Sequence, residues 1–122
     1  MDEPHIFSVT EVNHLIKGLL EEVPPLQDIM IRGELSNYKI YPSGHHYFTL
    51  KDGECALRCV MFRGSAARLA FRPESGMKVI ASGRISVYPR DGAYQLYCTA
   101  LHADGIGDLY VAFEQLKEKL RQ

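Results

Sequence analysis

The hydrophobic pattern of this chain changes its period near Asp28, and this change constrains the fold more than any other feature. Upstream, apolar residues recur at helical spacing, whereas downstream apolar and polar residues alternate, as they do along half-buried strands. Five alternating stretches follow, at about residues 29–36, 45–51, 56–63, 77–88 and 94–101. The chain is therefore predicted to be mainly β, and its 122 residues suffice for one domain.

The segment before this change is predicted to be a helix. Ser8 and Glu11 form a capping-box pattern, in which each side chain accepts a hydrogen bond from a backbone N–H at the start of a helix. Pro24 and Pro25 are expected to end the helix. We expect residues 1–26 to be an N-terminal helix packed on the barrel. Its apolar residues form one stripe, which comprises Val9, Val12, Leu15, Ile16, Leu19, Leu20 and Val23.

The connections between the predicted strands carry turn and helix signals. Residues 37–44 contain Pro-Ser-Gly and predict a loop, and residues 65–71 are alanine-rich and predict a short helix. Asp52-Gly53 predicts a tight hairpin turn in which the glycine takes a positive φ. Residues 89–92 predict a second hairpin, and Gly33 is expected to bend the first strand.

The order of these elements is that of a five-stranded Greek-key barrel of the OB type, predicted for residues 27–104. An SH3-like barrel also has five strands, but it lacks a helix between the third and the fourth. OB barrels bind ligands on the outer face of strands two and three, although a fold alone does not establish a function.

Residues 105–122 are predicted to form a C-terminal amphipathic helix that leads to a following domain absent from this chain. Their apolar residues recur at helical spacing, at Leu109, Phe113, Leu116 and Leu120. Such a helix either packs on its own barrel or normally covers the following domain. In the second case its apolar stripe is exposed, which predicts self-association or segment swapping of the chain.

Charge is distributed unevenly along the chain. Residues 32–94 carry ten Lys or Arg and five Asp or Glu, a net charge of +5, whereas the rest carries four and ten, a net charge of −6. A basic middle between acidic ends favours an anionic ligand that is bound by the middle alone.

Metal and catalytic sites are disfavoured by the same patterns. His45 and His46 are neighbours on a strand and point to opposite faces, so regular strand geometry does not let both hold one metal ion. Cys55 and Cys59 lie roughly 13 Å apart along one strand face, and with Cys98 they are expected to be small core residues. No nucleophile, zinc-protease or phosphate-loop motif occurs. We therefore expect no metal, no cofactor and no catalytic residue in this chain.

Cysteine usage and hydropathy indicate the compartment. Three cysteines without zinc-ribbon spacing argue against a disulfide framework and favour a reducing environment. No segment approaches the roughly 18 continuous apolar residues of a membrane span, and the acidic N-terminus does not suit a secretory signal. We expect a cytoplasmic protein without a membrane partner.

Aromatic and basic residues are combined on the predicted strands two and three and on the loops beside them. Unpaired bases stack on aromatic rings at about 1–3 kcal/mol each, while Lys and Arg follow the phosphates, so this mixture predicts a site for single-stranded nucleic acid. The predicted stacking platforms are Tyr47, Phe62 and Tyr88, and the predicted phosphate contacts are Lys51, Arg58, Arg63, Arg84 and Arg90. Tyr38, Lys39 and Thr49 complete the predicted nucleic-acid-binding set, and Tyr41 and Tyr94 lie on the same loops.

Two other functions suit the same residues. One is a protein-interaction module that docks a partner subunit, with the aromatic residues as hot spots. The other is RNA binding, which depends on contacts to the 2′-OH that a sequence does not reveal. Salt separates DNA binding from protein docking, because contacts to phosphates release counterions and apolar contacts do not.

Six segments carry a specific family resemblance across residues 7–120. They are FSVTEVNHLIKGLLEE, IMIRGELSNYK, SGHHYFTLKD, LRCVMFRG, GMKVIASGRISVYPRDGAYQLY and GIGDLYVAFEQLKEKL. In this order they resemble the amino-terminal OB domain of the large subunit of bacterial exonuclease VII. The resemblance implies a complex of large and small subunits that degrades single-stranded DNA to oligonucleotides without a strict need for divalent metal.

The resemblance also implies how the work is divided. The amino-terminal domain binds DNA, here through the outward residues of YFTLK and LRCVMFR. Catalysis and the contact with the small subunit belong to later parts of the protein that this chain lacks.

Overall fold

A computed structural model describes residues 4–104 and shows a mainly β domain. The predicted C-terminal helix of residues 105–122 lies outside the described residues. The elements, in chain order, are α1 (Val9–Glu21), α2 (Pro24–Gln27), β1 (Ile29–Ile40), β2 (His46–Lys51), β3 (Ala56–Met61), α3 (Arg63–Ala66), β4 (Lys78–Tyr88) and β5 (Ala93–Ala103).

The five strands close into a barrel in the order β1-β2-β3-β5-β4, with β4 paired back to β1. Closure depends on β1, whose first half pairs with β4 and whose second half pairs with β2. Gly33 lies where these two pairings meet, and a Cβ there would stand 2.7 Å from Cγ of Leu50. The close approach of β1 to β2 therefore requires glycine at this position.

The core lies inside the barrel and follows the predicted alternation. Phe48 and Leu50 of β2 are buried, whereas Tyr47 and Lys51 point outward. The remaining core residues include Leu35, Cys59, Met61, Val79, Ala81, Ile85, Leu96, Cys98 and Leu101. The period of two thus divides each strand between a packed interior and an outer wall.

β1 extends further than predicted, and the loop expected at residues 37–44 is wrong in its first half. The register of β1 against β2 shifts between Ser36 and Lys39, where Asn37 takes a φ of 50°. This bulge absorbs one extra residue of β1, so pairing resumes at Lys39↔Tyr47 and continues to Ile40↔His46. The remaining connection is short and is closed by a hydrogen bond from Tyr41 N to His45 O of 3.0 Å.

The β2–β3 turn also differs from the prediction, because Gly53 does not have a positive φ. Lys51 pairs with Ala56, so residues 52–55 form the connection. Oδ1 of Asp52 accepts hydrogen bonds from the backbone N–H groups of Glu54 and Cys55, both at 2.9 Å, and these bonds lower the pKa of Asp52. The aspartate side chain stabilises this longer turn, which removes the need for a left-handed glycine.

The helices lie where they were predicted, but their first and last residues differ from the prediction. The capping box is confirmed, since Ser8 and Glu11 exchange two hydrogen bonds of 3.0 Å. Pro24 and Pro25 do end α1, but they also begin α2, because proline is tolerated in the first turn of a helix. α3 lies between the third and fourth strands as predicted, yet it begins at Arg63, two residues before the predicted start.

Candidate nucleic-acid interface

A groove of about 710 Å³ crosses the outer wall of the barrel over β2, β3 and β5. Strand alternation positions its side chains: Tyr47 is paired with Val60, and Thr49 with Arg58. Val60 pairs with Tyr97 of β5 on its other side and is buried between these two tyrosine positions. The groove is lined by Asn37, Lys39, Tyr41, Tyr47, Phe48, Thr49, Arg58, Cys59, Val60, Phe62, Tyr88, Asp91, Gln95 and Tyr97.

Aromatic rings form two pairs within the groove. The ring centroids of Tyr41 and Tyr47 are 4.8 Å apart, and those of Phe62 and Tyr97 are 6.0 Å apart. Both distances lie in the range of favourable ring pairs, which hold each other's orientation. Tyr47 and Phe62 remain more than a third exposed, so flat faces are available to a ligand.

Two exposed cations, Lys39 and Arg58, lie among these rings. No carboxylate of residues 4–104 pairs with either of them, whereas Lys51 lies 3.4 Å from Glu34 and Arg32 lies 2.8 Å from Asp104. An unpaired cation beside an aromatic face is suited to a phosphate that follows a stacked base.

The structure brings six of the eleven predicted site residues together in this groove. They are Lys39, Tyr47, Thr49, Arg58, Phe62 and Tyr88. The other five, which lie elsewhere, are Tyr38, Lys51, Arg63, Arg84 and Arg90.

Tyr38 lies against the core instead of in the groove. Its ring stacks on buried Phe48 with centroids 5.0 Å apart, and its hydroxyl is 2.6 Å from Nδ1 of His46. Burial raises the pKa of Tyr38, and it lowers the pKa of His46. The bulge at Asn37 explains the placement, because it turns Tyr38 inward while Asn37 and Lys39 on either side line the groove.

The four cations outside the groove have different surroundings. Lys51 lies by a second groove and pairs with Glu34, and Arg63 begins α3 and packs against Gly44. The guanidinium of Arg84 lies 4.7 Å from the ring centroid of Tyr97. Arg84 thus contacts a residue that lines the groove but does not line the groove itself. Arg90 is exposed in the connection between β4 and β5.

The lining residues that the predicted site does not contain include Asn37, Gln95 and Tyr97. The signal for two of them was present, because Leu96 and Cys98 are apolar and alternation along β5 then directs Gln95 and Tyr97 outward. Asn37 was assigned to a loop. Tyr94, which the sequence placed beside the predicted site, is 62% exposed but does not line the groove.

The adjacent histidines have different environments, and only His46 belongs to β2. His46 contacts Tyr38, whereas Nδ1 of His45 accepts a hydrogen bond of 2.9 Å from the backbone N–H of Arg63, and the His45 ring packs edge-on against Phe62. Within residues 4–104, no cluster of three or more His, Cys, Asp or Glu is placed to hold a metal ion.

Two of the three cysteines are core residues, as predicted. Burial raises the pKa of Cys59 to about 12 and that of Cys98 to about 11. The prediction is wrong for Cys55, which is exposed because it belongs to the β2–β3 connection and not to a strand.

Comparison with known proteins identifies the fold family. The profile of the family described as "OB-fold nucleic acid binding domain" matches residues 7–102. The chain belongs to this family. The predicted OB barrel is thereby confirmed in its closed five-stranded form.

The resemblance to the exonuclease VII large subunit is confirmed by curated relatives. The chain is 54% identical to the exodeoxyribonuclease 7 large subunit of Ruminiclostridium cellulolyticum over 96% of its own length and 29% of that protein. It is 52% identical to that of Clostridium tetani, over 96% of this chain and 30% of the relative. The chain therefore spans less than a third of the length of these relatives.

Solved structures share the fold of this OB-fold domain at low sequence identity. The Stn1–Ten1 complex of S. pombe matches with a TM-score of 0.53 and 21% identity over 78% of this chain and 71% of that chain. Asparaginyl-tRNA synthetase from Pyrococcus horikoshii matches with a TM-score of 0.50 and 14% identity over 66% of this chain and 20% of that chain. Among residues 4–104, none of the helices has the length and apolar character to span a membrane.

Proposed function

We propose that this chain is the single-stranded DNA-binding module of an exonuclease VII large subunit. The observation that carries the proposal is the groove on β2, β3 and β5, where Lys39 and Arg58 lie unpaired by any carboxylate of the described residues among exposed aromatic rings. Membership of a nucleic acid binding family and 54% identity to a named large subunit support the same function.

Bases stack on the rings while the phosphates contact the cations. Tyr47 and Phe62 are the main platforms, with Tyr41, Tyr88 and Tyr97 as further aromatic surfaces. Thr49 and Gln95 supply polar groups for base edges. A duplex has its base faces already stacked, so it offers this surface only its phosphates.

The remaining steps belong to the longer protein. We infer that DNA hydrolysis to oligonucleotides and the contact with a small subunit involve parts outside this chain, and we assign it no catalytic residue, metal or cofactor. The similarity to large subunits over about 30% of their length supports this division. A cytoplasmic location is part of the same proposal.

We also interpret the barrel as a Greek key. The strand order supports this, because β4 returns to lie beside β1 after the β1-β2-β3 meander.

Titration of labelled oligonucleotides tests the proposed function. Single-stranded DNA, duplex DNA and single-stranded RNA of one sequence should be compared at two salt concentrations. We expect the DNA strand to bind more tightly than the duplex and to lose affinity steeply as salt rises. Equal binding of duplex would refute the stacking role, tighter binding of RNA would redirect the proposal to RNA, and no binding would favour the protein-docking function.

A further inference from the structure

The hairpin that connects β4 and β5 contributes two residues to the lining of the groove. The last strand pair of this hairpin is Tyr88↔Ala93, so residues 89–92 form its turn. The backbone N–H groups of Asp91 and Gly92 both donate to the carbonyl of Tyr88, at 3.2 Å and 2.9 Å. Since Tyr88 and Asp91 line the groove, the conformation of this turn decides how that part of the groove is shaped.

A single side chain of α1 contacts this turn near both of its ends. Nδ2 of Asn13 donates a hydrogen bond of 2.8 Å to the carbonyl of Pro89, and the bond is partly buried. The same amide lies against Gly92, where an added Cβ would stand 3.2 Å from Nδ2 of Asn13. Asn13 therefore joins the first and the last residue of the turn to the helix.

The same side of α1 reaches the groove wall at a second place. Lys17 and Glu21 follow Asn13 at intervals of four residues, which places the three side chains on one side of the helix. Nζ of Lys17 lies 3.0 Å from Oε2 of Glu21, and the same carboxylate oxygen lies 3.9 Å from Arg84. The guanidinium of Arg84 in turn contacts the ring of Tyr97, a lining residue. Thus α1 is attached to the β4–β5 side of the groove at two places.

We propose that Asn13 is a positioning residue of the DNA-binding groove. Its hydrogen bond to Pro89 holds the β4–β5 hairpin in the conformation in which Tyr88 faces a bound base. Asn13 does not line the groove itself, so it acts through the hairpin and not by contact with DNA. A loop that is ordered before binding loses less conformational freedom when the ligand binds, which raises the affinity. This inference rests on the proposed function.

The size of the effect is limited by the hydrogen bond itself. Loss of the bond can shift the balance between the ordered and the disordered hairpin by no more than the bond contributes. One neutral hydrogen bond changes an equilibrium by about 2- to 12-fold. Asn13→Ala should therefore weaken the binding of single-stranded DNA within this range. The dependence of the affinity on salt should not change, because the replacement removes no cation.

NMR relaxation and fluorescence anisotropy of the whole chain test the proposal together. The matched control is His14→Ala, which changes the next residue of α1, an exposed one. In Asn13→Ala we expect the backbone order parameters of Asp91 and Gly92 to fall from about 0.85, the value of rigid backbone, toward about 0.6. The affinity for a labelled single strand should fall in the same variant. The control should match the unchanged chain in both measurements.

A double-mutant cycle shows whether Asn13 acts through the hairpin. Asn13→Ala is combined with Tyr88→Ala, which removes the aromatic surface that the hairpin carries. If the hydrogen bond serves to position Tyr88, its loss should weaken DNA binding less in the Tyr88→Ala chain than in the unchanged chain. A general loosening of the fold would cost the same affinity in both chains.

Each of three results would overturn the proposal. Unchanged order parameters in Asn13→Ala would show that the amide does not hold the hairpin. A more mobile hairpin with unchanged affinity would show that the contact has no role in binding. An equal loss of affinity with and without Tyr88, or in His14→Ala, would assign the effect to α1 as a whole. Failure of the unchanged chain to bind single-stranded DNA would instead refute the proposed function, on which this role of Asn13 rests.

Discussion

Replacement of Tyr47 by alanine is expected to weaken binding of single-stranded DNA about 5- to 150-fold. Stacking of one base on an aromatic ring contributes about 1–3 kcal/mol, and every 1.4 kcal/mol is a factor of ten in affinity. Tyr47 lies on the outer wall, so its removal leaves the neighbouring core residue Phe48 in place. The loss should therefore appear in binding and not in folding.

The structure also defines how the effect of Tyr47 depends on its neighbour. Tyr41 lies 4.8 Å from Tyr47, ring centroid to ring centroid, so the two rings hold each other in place. We expect the double replacement Tyr41→Ala with Tyr47→Ala to cost less than the sum of the single replacements, because each ring is already displaced when its partner is gone.

Fluorescence anisotropy with a labelled oligonucleotide measures these affinities, and Tyr94→Ala is the matched control. Tyr94 is a more exposed tyrosine of the same barrel, 62% exposed, but it lies outside the groove. The control should bind DNA as the unchanged chain does. An affinity of Tyr47→Ala within two-fold of the unchanged chain, or an equal loss in the control, would refute the stacking role of the groove.

Three further predictions address the cations, the barrel and pH. Replacement of Arg58 by alanine should lower the slope of log affinity against log salt concentration by about 0.7, the value for one phosphate contact on a single strand. The control Arg32→Ala removes a cation that is paired with Asp104 on another wall of the barrel. It should leave this slope unchanged in the same anisotropy assay. Gly83→Ala should destabilise the fold by about 1–3 kcal/mol in urea unfolding, because the added Cβ would overlap the carbonyl of Tyr97. Gly53→Ala should be neutral or slightly stabilising, because no atom lies within 4 Å of a Cβ added at Gly53. Burial lowers the pKa of His46 below its ordinary value of 6.5, so the unfolded chain takes up a proton at this side chain before the folded chain does. The free energy of unfolding should therefore fall as the pH drops from about 7 to about 5.5, and it should fall less in His46→Gln. An equal dependence of this free energy on pH in the two chains would contradict the assignment.

The sequence predicted the barrel because its main signals are local and periodic. Alternation along β2 separates Phe48 and Leu50 from Tyr47 and Thr49, and the structure places these residues on the two faces accordingly. The capping box is equally local, since Ser8 and Glu11 satisfy each other's backbone groups. Such features depend on neighbours in the chain and can be recognised without the fold.

The errors arose where a few residues interrupt the regular pattern. Asn37 takes a left-handed conformation that non-glycine residues seldom adopt, and the resulting bulge turns Tyr38 into the core. Asp52 stabilises its turn through its own carboxylate, which no glycine pattern indicates. These outcomes depend on the pairing of β1 with β2 and on side-chain contacts that form only in the folded chain.

The composition of the groove could be predicted only in part for a related reason. Residues of β2 and β3 were assigned correctly to the outer wall, whereas the contribution of Tyr97 depends on the parallel pairing of β5 with β3. Lys51 shares the face of Tyr47 along β2, but its ion pair with Glu34 on the neighbouring strand β1 places it in another groove. Pairing between strands distant in sequence therefore decides which cations remain available for phosphates.

An NMR titration of the whole chain with single-stranded DNA tests the central claim most directly. The amide signals of Tyr47, Val60 and Tyr97 should shift together and reach saturation, while those of Arg32 and Gly53, in the second groove, should stay in place. Saturable shifts confined to the second groove or to α1, with the signals around Val60 unchanged, would contradict it.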